Sequence, residues 1–245
     1  MTPPSRSRAA FALATLVIVA ALAVWKIPLA RGVAVGVYRR LRGRHTVAQR
    51  VAQYGPAARA RWAPWFARAG MAYPPNGLTL VALKDAAALV VYGRDASGAW
   101  RRVRRMPVVA LSGGPGPKLR EGDRQVPEGL YRVESLNPDS LYHLALRVNY
   151  PSPDDRLRAR EDGRTQLGGD IMIHGSDASV GCLAMGDEGI EDLFVLAVDV
   201  GHERVRLVFA PTDLRRDVTR APPPGSPPWV AVRYARIREA LSALP

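Results

Sequence analysis

Cys182 is the only cysteine in this chain. An intramolecular disulfide is therefore excluded, and so is a zinc site built on paired thiolates. The four histidines are scattered and do not make up the shortfall, so no metal is expected. Aromatic residues are sparse at 7%, whereas 21 prolines and 22 glycines punctuate the chain. That balance argues against a helical bundle and for short strands between turns. Acidic residues are missing altogether before Asp85, a stretch that holds 13 basic residues from Arg6 to Lys84. The remaining 22 basic residues meet all 22 acids, so the net charge of +13 belongs to the N-terminal segment alone. That excess comes without interleaved aromatics, zinc spacing or a nucleic-acid motif, and no nucleic-acid partner is expected. An arginine-rich stretch beside anionic headgroups explains it.

With 245 residues, 47% of them hydrophobic, the chain can form one well-buried domain with extensions. Residues 9–25 are apolar except for Thr15, and Arg6 and Arg8 precede them. This predicts a signal anchor over residues 1–30, or a cleaved signal peptide in its place. Either exports the rest of the chain, and the anchor gives it the inner membrane as a partner. Lys26, Arg31, Arg39 and Arg40 favour a cytoplasmic C-terminal side, a bias that weakens for long translocated domains. Residues 31–77 read as a basic, helical juxtamembrane segment. Within it Val47, Val51, Tyr54, Ala58, Trp62 and Trp65 fall on one helical face, and Pro56 and Pro64 predict two shorter helices.

Beyond the turn residues Tyr73–Gly77 the texture becomes strand-like. Apolar runs predict strands at 78–83, 88–92, 100–103, 108–111, 130–135, 142–148, 171–174 and 205–210, in a mostly antiparallel sheet. A helix follows Asp187, its expected N-cap, with Ile190, Leu193, Phe194 and Ala197 on one face and Gly201 at its end. Residues 211–245 read as a proline-rich tail with a short amphipathic helix from Trp229 to Leu244.

Chemistry concentrates in Ile171–Met185. A strand end presents His174; a loop of small residues follows and presents Cys182. An ordinary thiol is mostly protonated at neutral pH, and a nearby imidazole can take its proton and stabilise the thiolate. Gly181 lets the backbone approach closely, and the N–H groups of Gly181 and Cys182 are candidates for an oxyanion hole. Residues alone leave open a structural cysteine, the usual fate of an unpaired one.

The stretch also resembles the L,D-transpeptidase catalytic-domain family (YkuD-like), in a branch with a short loop between histidine and cysteine. His174-Gly175 and Ser179-Val180-Gly181-Cys182 carry that resemblance. Further matches are Gly116-Pro117-Lys118, Gly122-Asp123, Val126–Tyr131, Asn137-Pro138, Ser140–Leu144 and Asn149-Tyr150-Pro151. The similarity covers about residues 78–210. Val180 stands where the family commonly has histidine, and Ala184 where it often has arginine or asparagine. The resemblance implies a mostly-β sandwich catalytic domain with α elements, no cofactor, and peptidoglycan stem peptides as partners in the periplasm. It implies that Cys182 attacks the carbonyl of a stem-peptide diamino acid, with His174 as base and then acid. An amine acceptor completes transpeptidation. The alternatives are a thiol hydrolase cutting cross-links or protein–peptidoglycan links, and a non-catalytic peptidoglycan-binding module. His143, Tyr142, Lys118, Gly175 and Asp177 are candidates for holding the substrate or orienting the pair. Ser179 and Val180 belong to the loop that shapes the oxyanion site.

Overall fold

The structure, a computed structural model, describes residues 45–245. The anchor expected over 1–30 and the first part of the 31–77 segment lie outside the described residues. Among the described residues no helix is long and apolar enough to cross a membrane.

The described residues open with helix α1 (Val47–Arg68), started by a capping box in which Thr46 accepts from the Gln49 N–H and the Gln49 side chain accepts from the Thr46 N–H. Strands β1 (Gly77–Leu83), β2 (Ala88–Arg94), β3 (Trp100–Pro107) and β4 (Ala110–Leu111) follow. Next come β5 (Gly129–Ser140), β6 (His143–Val148), helix α2 (Pro153–Glu161), β7 (Met172–His174) and β8 (Leu183–Ala184). Helix α3 (Asp187–Val200), β9 (Val205–Ala210) and helix α4 (Trp229–Ser242) complete it.

The strands run β3-β2-β1-β9-β5-β6-β7-β8-β4 in one continuous order. The expectation of a mostly antiparallel sheet needs correcting at two seams: β1–β9 and β7–β8 are parallel. The first residues of β5 pair with β9 and the later ones with β6, so this strand joins the two halves of the sheet. The fold is thus mixed and sheet-dominated, with helices on its surfaces.

β1 is buried along its whole length, as a central strand covered on both faces must be. Its side chains alternate between two cores. Leu80, Ala82, Leu89, Val91, Leu207 and Phe209 pack with Trp62, Phe66, Leu193 and Phe194 from α1 and α3. Val81, Val90, Tyr92 and Val208 pack with Val230, Tyr234, Ile237 and Leu241 from α4. The period of two along each strand produces this three-layer centre.

Pro56 and Pro64 do not split α1, which is one helix of 22 residues. A mid-helix proline costs ~3 kcal/mol, through a lost hydrogen bond and a clash. Tertiary contacts oppose that cost. Ala58, Trp62 and Phe66 are fully buried on one face. Arg59 forms two 2.7 Å bonds to Asp199, Arg61 reaches Asp192 at 2.7 Å, and the Trp62 indole N–H donates to the Asp192 carbonyl at 2.9 Å. Gly55 also precedes Pro56, and the clash that a proline imposes on the preceding Cβ is absent there.

Two polar anchors close the far side. Glu128, fully buried, accepts from Lys84 Nζ at 3.0 Å, from the Gly116 N–H at 2.8 Å and from the Tyr234 hydroxyl at 2.9 Å. Arg233 donates to Asp155 at 2.8 Å and to Asp154 at 2.6 Å. The C-terminal helix is therefore pinned to the start of β5, to α2 and to the loop 112–128.

Candidate active site

β7 lies between β6 and β8 and delivers His174. Ala145 and Ala184 are its cross-strand partners, and Arg147 stands opposite Met172. Cys182 immediately precedes β8, two residues before Ala184, which makes it the diagonal neighbour of His174. The expected order of strand, cysteine, helix gains one step, because the two residues of β8 intervene before α3.

The two side chains do not bond to each other in this arrangement. His174 is buried, and its Nδ1 lies 2.6 Å from the Gly175 carbonyl oxygen. A carbonyl only accepts, so Nδ1 carries the proton and Nε2 is left as the acceptor. The thiol of Cys182 accepts from the Met172 N–H at 3.4 Å and faces the Asp170 carbonyl at 3.6 Å. Burial pushes the His174 pKa below its ordinary value, with the Gly175 bond opposing. Burial likewise raises the Cys182 pKa, against the Met172 N–H, which favours the thiolate. The resting pair is therefore thiol and neutral imidazole.

Tyr142 and His143 part as neighbours near a strand end should. The Tyr142 ring covers the His174 imidazole, with centroids 4.7 Å apart and planes at 30°. His143 turns the other way: its Nε2 meets Glu191 at 2.9 Å and its ring meets Tyr54 edge-on. It is held by α1 and α3 rather than presented to a ligand. Gly175 sits where a side chain has no room. A Cβ there would fall 2.6 Å from an Asp187 carboxylate oxygen and 2.9 Å from the Tyr142 carbonyl.

Other candidates do different work from that expected. Lys118 is buried and donates to Asp123 at 2.6 Å and to the Arg120 carbonyl at 2.9 Å, so it braces its own loop instead of waiting for an anion. Asp177 contacts the Ser176 hydroxyl and not His174, whose orientation comes from the Gly175 carbonyl. Asp187 is not the N-cap of α3. Gly186 takes that place at φ +70°, and Asp187 accepts from the Ser176 N–H at 2.8 Å, tying the loop to the helix start.

Both N–H groups proposed for the oxyanion are occupied. Cys182 N–H donates to Ser179 Oγ at 3.2 Å, and that hydroxyl donates on to the Cys182 carbonyl at 2.6 Å. Gly181, at φ +88°, donates its N–H to Ser112 Oγ at 2.6 Å. Ser112 in turn donates to the Arg124 carbonyl at 2.8 Å, stitching the loop 112–128 to the cysteine turn. Sequence reading missed Ser112, since nothing in Leu111-Ser112-Gly113 marks it out. Val180 is 72% exposed at the turn's tip.

The strand-borne His174 and the cysteine turn thus meet on adjoining strands of a sheet braced by helices. The chain belongs to the L,D-transpeptidase catalytic domain family (YkuD), which matches residues 79–207. Among curated relatives, the YafK protein of Escherichia coli K12 is 44% identical over 89 residues, and its O157:H7 counterpart matches equally. That stretch is 36% of this chain and 34% of YafK, so the similarity spans about a third of the relative's length. Among solved structures, the helical cell shape determining protein Pgp2 from Campylobacter jejuni is 24% identical, with 60% of this chain and 54% of that one covered and a TM-score of 0.46. L,D-transpeptidase 1 of Mycobacterium tuberculosis is 16% identical, with 55% and 62% covered and a TM-score of 0.31.

Proposed function

We propose that this protein is a peptidoglycan L,D-transpeptidase that works through a thioester on Cys182. The observation that carries the proposal is the His174 tautomer. With Nδ1–H given to the Gly175 carbonyl at 2.6 Å, Nε2 is the base, on the strand next to the thiol. Membership of the family supplies the substrate class.

In the proposed reaction, a stem-peptide carbonyl approaches the thiol, and the Sγ proton passes to Nε2 as sulfur bonds to the carbonyl carbon. The raised thiol pKa and lowered imidazole pKa make that transfer uphill in the free protein. Bond formation to the substrate drives it forward. The oxyanion displaces the Ser112 and Ser179 hydroxyl oxygens from the Gly181 and Cys182 N–H groups, because a charged acceptor makes the stronger bond. The imidazolium then protonates the departing D-amino acid amine, leaving the thioester. A second stem's amine attacks the thioester, its proton passes to Nε2, and the C–S bond breaks to release the Cys182 sulfur, which is reprotonated as the cross-link forms. Peptidoglycan lies outside the inner membrane, so the domain works in the periplasm, tethered by the apolar run at residues 9–25.

Mass spectrometry of tetrapeptide muropeptides incubated with the protein, with Cys182→Ala as control, tests this reading. Dimers joined between two diamino acids, with loss of D-alanine, are expected. Release of monomers from cross-linked dimers would establish the hydrolase instead, and no change with either substrate would leave a binding module.

A further inference from the structure

We infer that the sheet carries a second site, separate from Cys182, that binds an organic phosphate between Arg102 and Arg105 of β3. Strand β3 has four arginines, and a register shift decides what each one does. Val90 pairs with Arg105, Val91 with Arg104 and Tyr92 with Arg102, so Val103 is an extra residue opposite the Val91/Tyr92 step. Without that bulge, residues three apart on a strand face opposite sides. With it, Arg102 and Arg105 share a face, the re-aiming that an inserted residue produces.

The other two arginines are already committed. Arg101 donates to Asp95 at 2.9 Å. Arg104, on the opposite face, bonds to Asp192 at 2.8 Å and lies over the Trp62 and Trp65 rings. Arg102 and Arg105 have no hydrogen-bond or carboxylate partner among the described residues; both line a cavity of about 550 Å³. Val81, Val90 and Tyr92 lie at its base, almost wholly buried, and Ala86 is exposed at its edge. Arg215 forms a fixed wall, held by Asp213 at 2.9 Å and by the Tyr92 hydroxyl at 3.2 Å. Arg216 also lines the cavity, 86% exposed and only loosely paired at 3.9 Å with Asp213. Against these stands one lining acid without a basic partner among the described residues, Asp85.

The chemistry of the occupant follows from this inventory. Two guanidinium groups on one face, neither bonded to a carboxylate among the described residues and outnumbering the single unpaired Asp85, suit a group with nearly two negative charges, as a phosphate monoester has. Their planar forks match phosphate oxygens in pairs. Ala86 at the edge and the alkyl stems of the exposed arginines give a small carbon body apolar contact beside the phosphate.

The test is titration of the full-length protein with hexyl phosphate, inorganic phosphate and hexanol, followed by calorimetry and, for the phosphates, 31P NMR. Hexyl phosphate is expected to bind saturably, more weakly as salt rises. Arg102→Ala/Arg105→Ala is expected to weaken binding at least tenfold while Tm and muropeptide turnover stay unchanged, because both side chains are exposed and neither touches the Cys182 loop. Hexyl phosphate is expected to bind more tightly than inorganic phosphate, and equal or weaker binding of the hexyl ester would overturn an organic-phosphate site. Absence of binding by both phosphates, equal binding by the double variant, or equal binding of hexanol would overturn the inference.

Discussion

Gly175→Ala concentrates the logic of the site in one methyl group. The new Cβ would lie 2.6 Å from Asp187 Oδ1, 2.9 Å from the Tyr142 carbonyl oxygen and 3.0 Å from His143 Cβ. The Asp187 side chain can swing away, although it then loses its 2.8 Å bond to the Ser176 N–H. The Tyr142 carbonyl cannot, because it accepts from the Gly175 N–H at 3.0 Å within the β6–β7 seam. Overpacking of this kind costs about 1–3 kcal/mol. At ~2–4 °C per kcal/mol for a domain of this size, Tm should fall by roughly 2–12 °C. The kinetic effect should be larger. The Gly175 carbonyl that fixes the His174 tautomer moves with the backbone, and a displacement of ~1 Å at a reacting group can cost ~10²-fold. Thermal unfolding and single-turnover acylation of Cys182 measure the two effects. A variant that acylates at the wild-type rate with an unchanged Tm would refute the argument that Gly175 places His174.

Cys182→Ala should abolish muropeptide turnover with Tm unchanged within about 2 °C, and residual turnover would remove Cys182 as nucleophile. Alkylation of the free protein by iodoacetamide should be slow at neutral pH, with a pH–rate midpoint above 9.0, because burial holds the thiol protonated. The His174 pKa is depressed below 6.5, so its contribution to stability is present above that pH and is lost as pH falls through the folded-state value. Tm measured against pH should show that acid-side loss, and His174→Gln should flatten it. Glu128→Ala leaves the buried Lys84 ammonium without its carboxylate and should cost about 3–5 kcal/mol in urea unfolding. Lys84→Met added to it should recover much of that loss, and a double variant as unstable as the single would contradict the pairing.

Much of the sheet was legible because buried strands are apolar and turn residues bound them: Val205–Ala210 stands as read, and β1 differs by one residue. The helix from Trp229 was equally plain. The register was not legible, since the β1–β9 and β7–β8 seams join residues far apart in sequence, or only two residues long, and local pattern carries no trace of either. Helix α1 was misread because the proline rule is local, whereas Asp192 and Asp199 that hold it straight lie on α3. Helix α2 carried a signal that went unused: Ser152-Pro153-Asp154-Asp155 is a capping box with proline at the first position. At the site, His174 and Cys182 stood out through their motif. The partners of Lys118, Asp177 and Ser112 depend on loops meeting in space, which residue type alone does not fix.

The parallel seam between β1 and β9 also sets a timetable. Strands β1, β2 and β3 are neighbours in sequence and can zip together as soon as they are made. The other edge of β1 must stay open until Val205–Ala210 has been synthesised, because on that edge Leu78 pairs with Val205. Even then Val81, Val90 and Tyr92 remain bare until α4 arrives with Val230, Tyr234 and Ile237. An open edge and a bare apolar face invite pairing with other chains. The nascent polypeptide is therefore most vulnerable to aggregation until Trp229–Ser242 has been added.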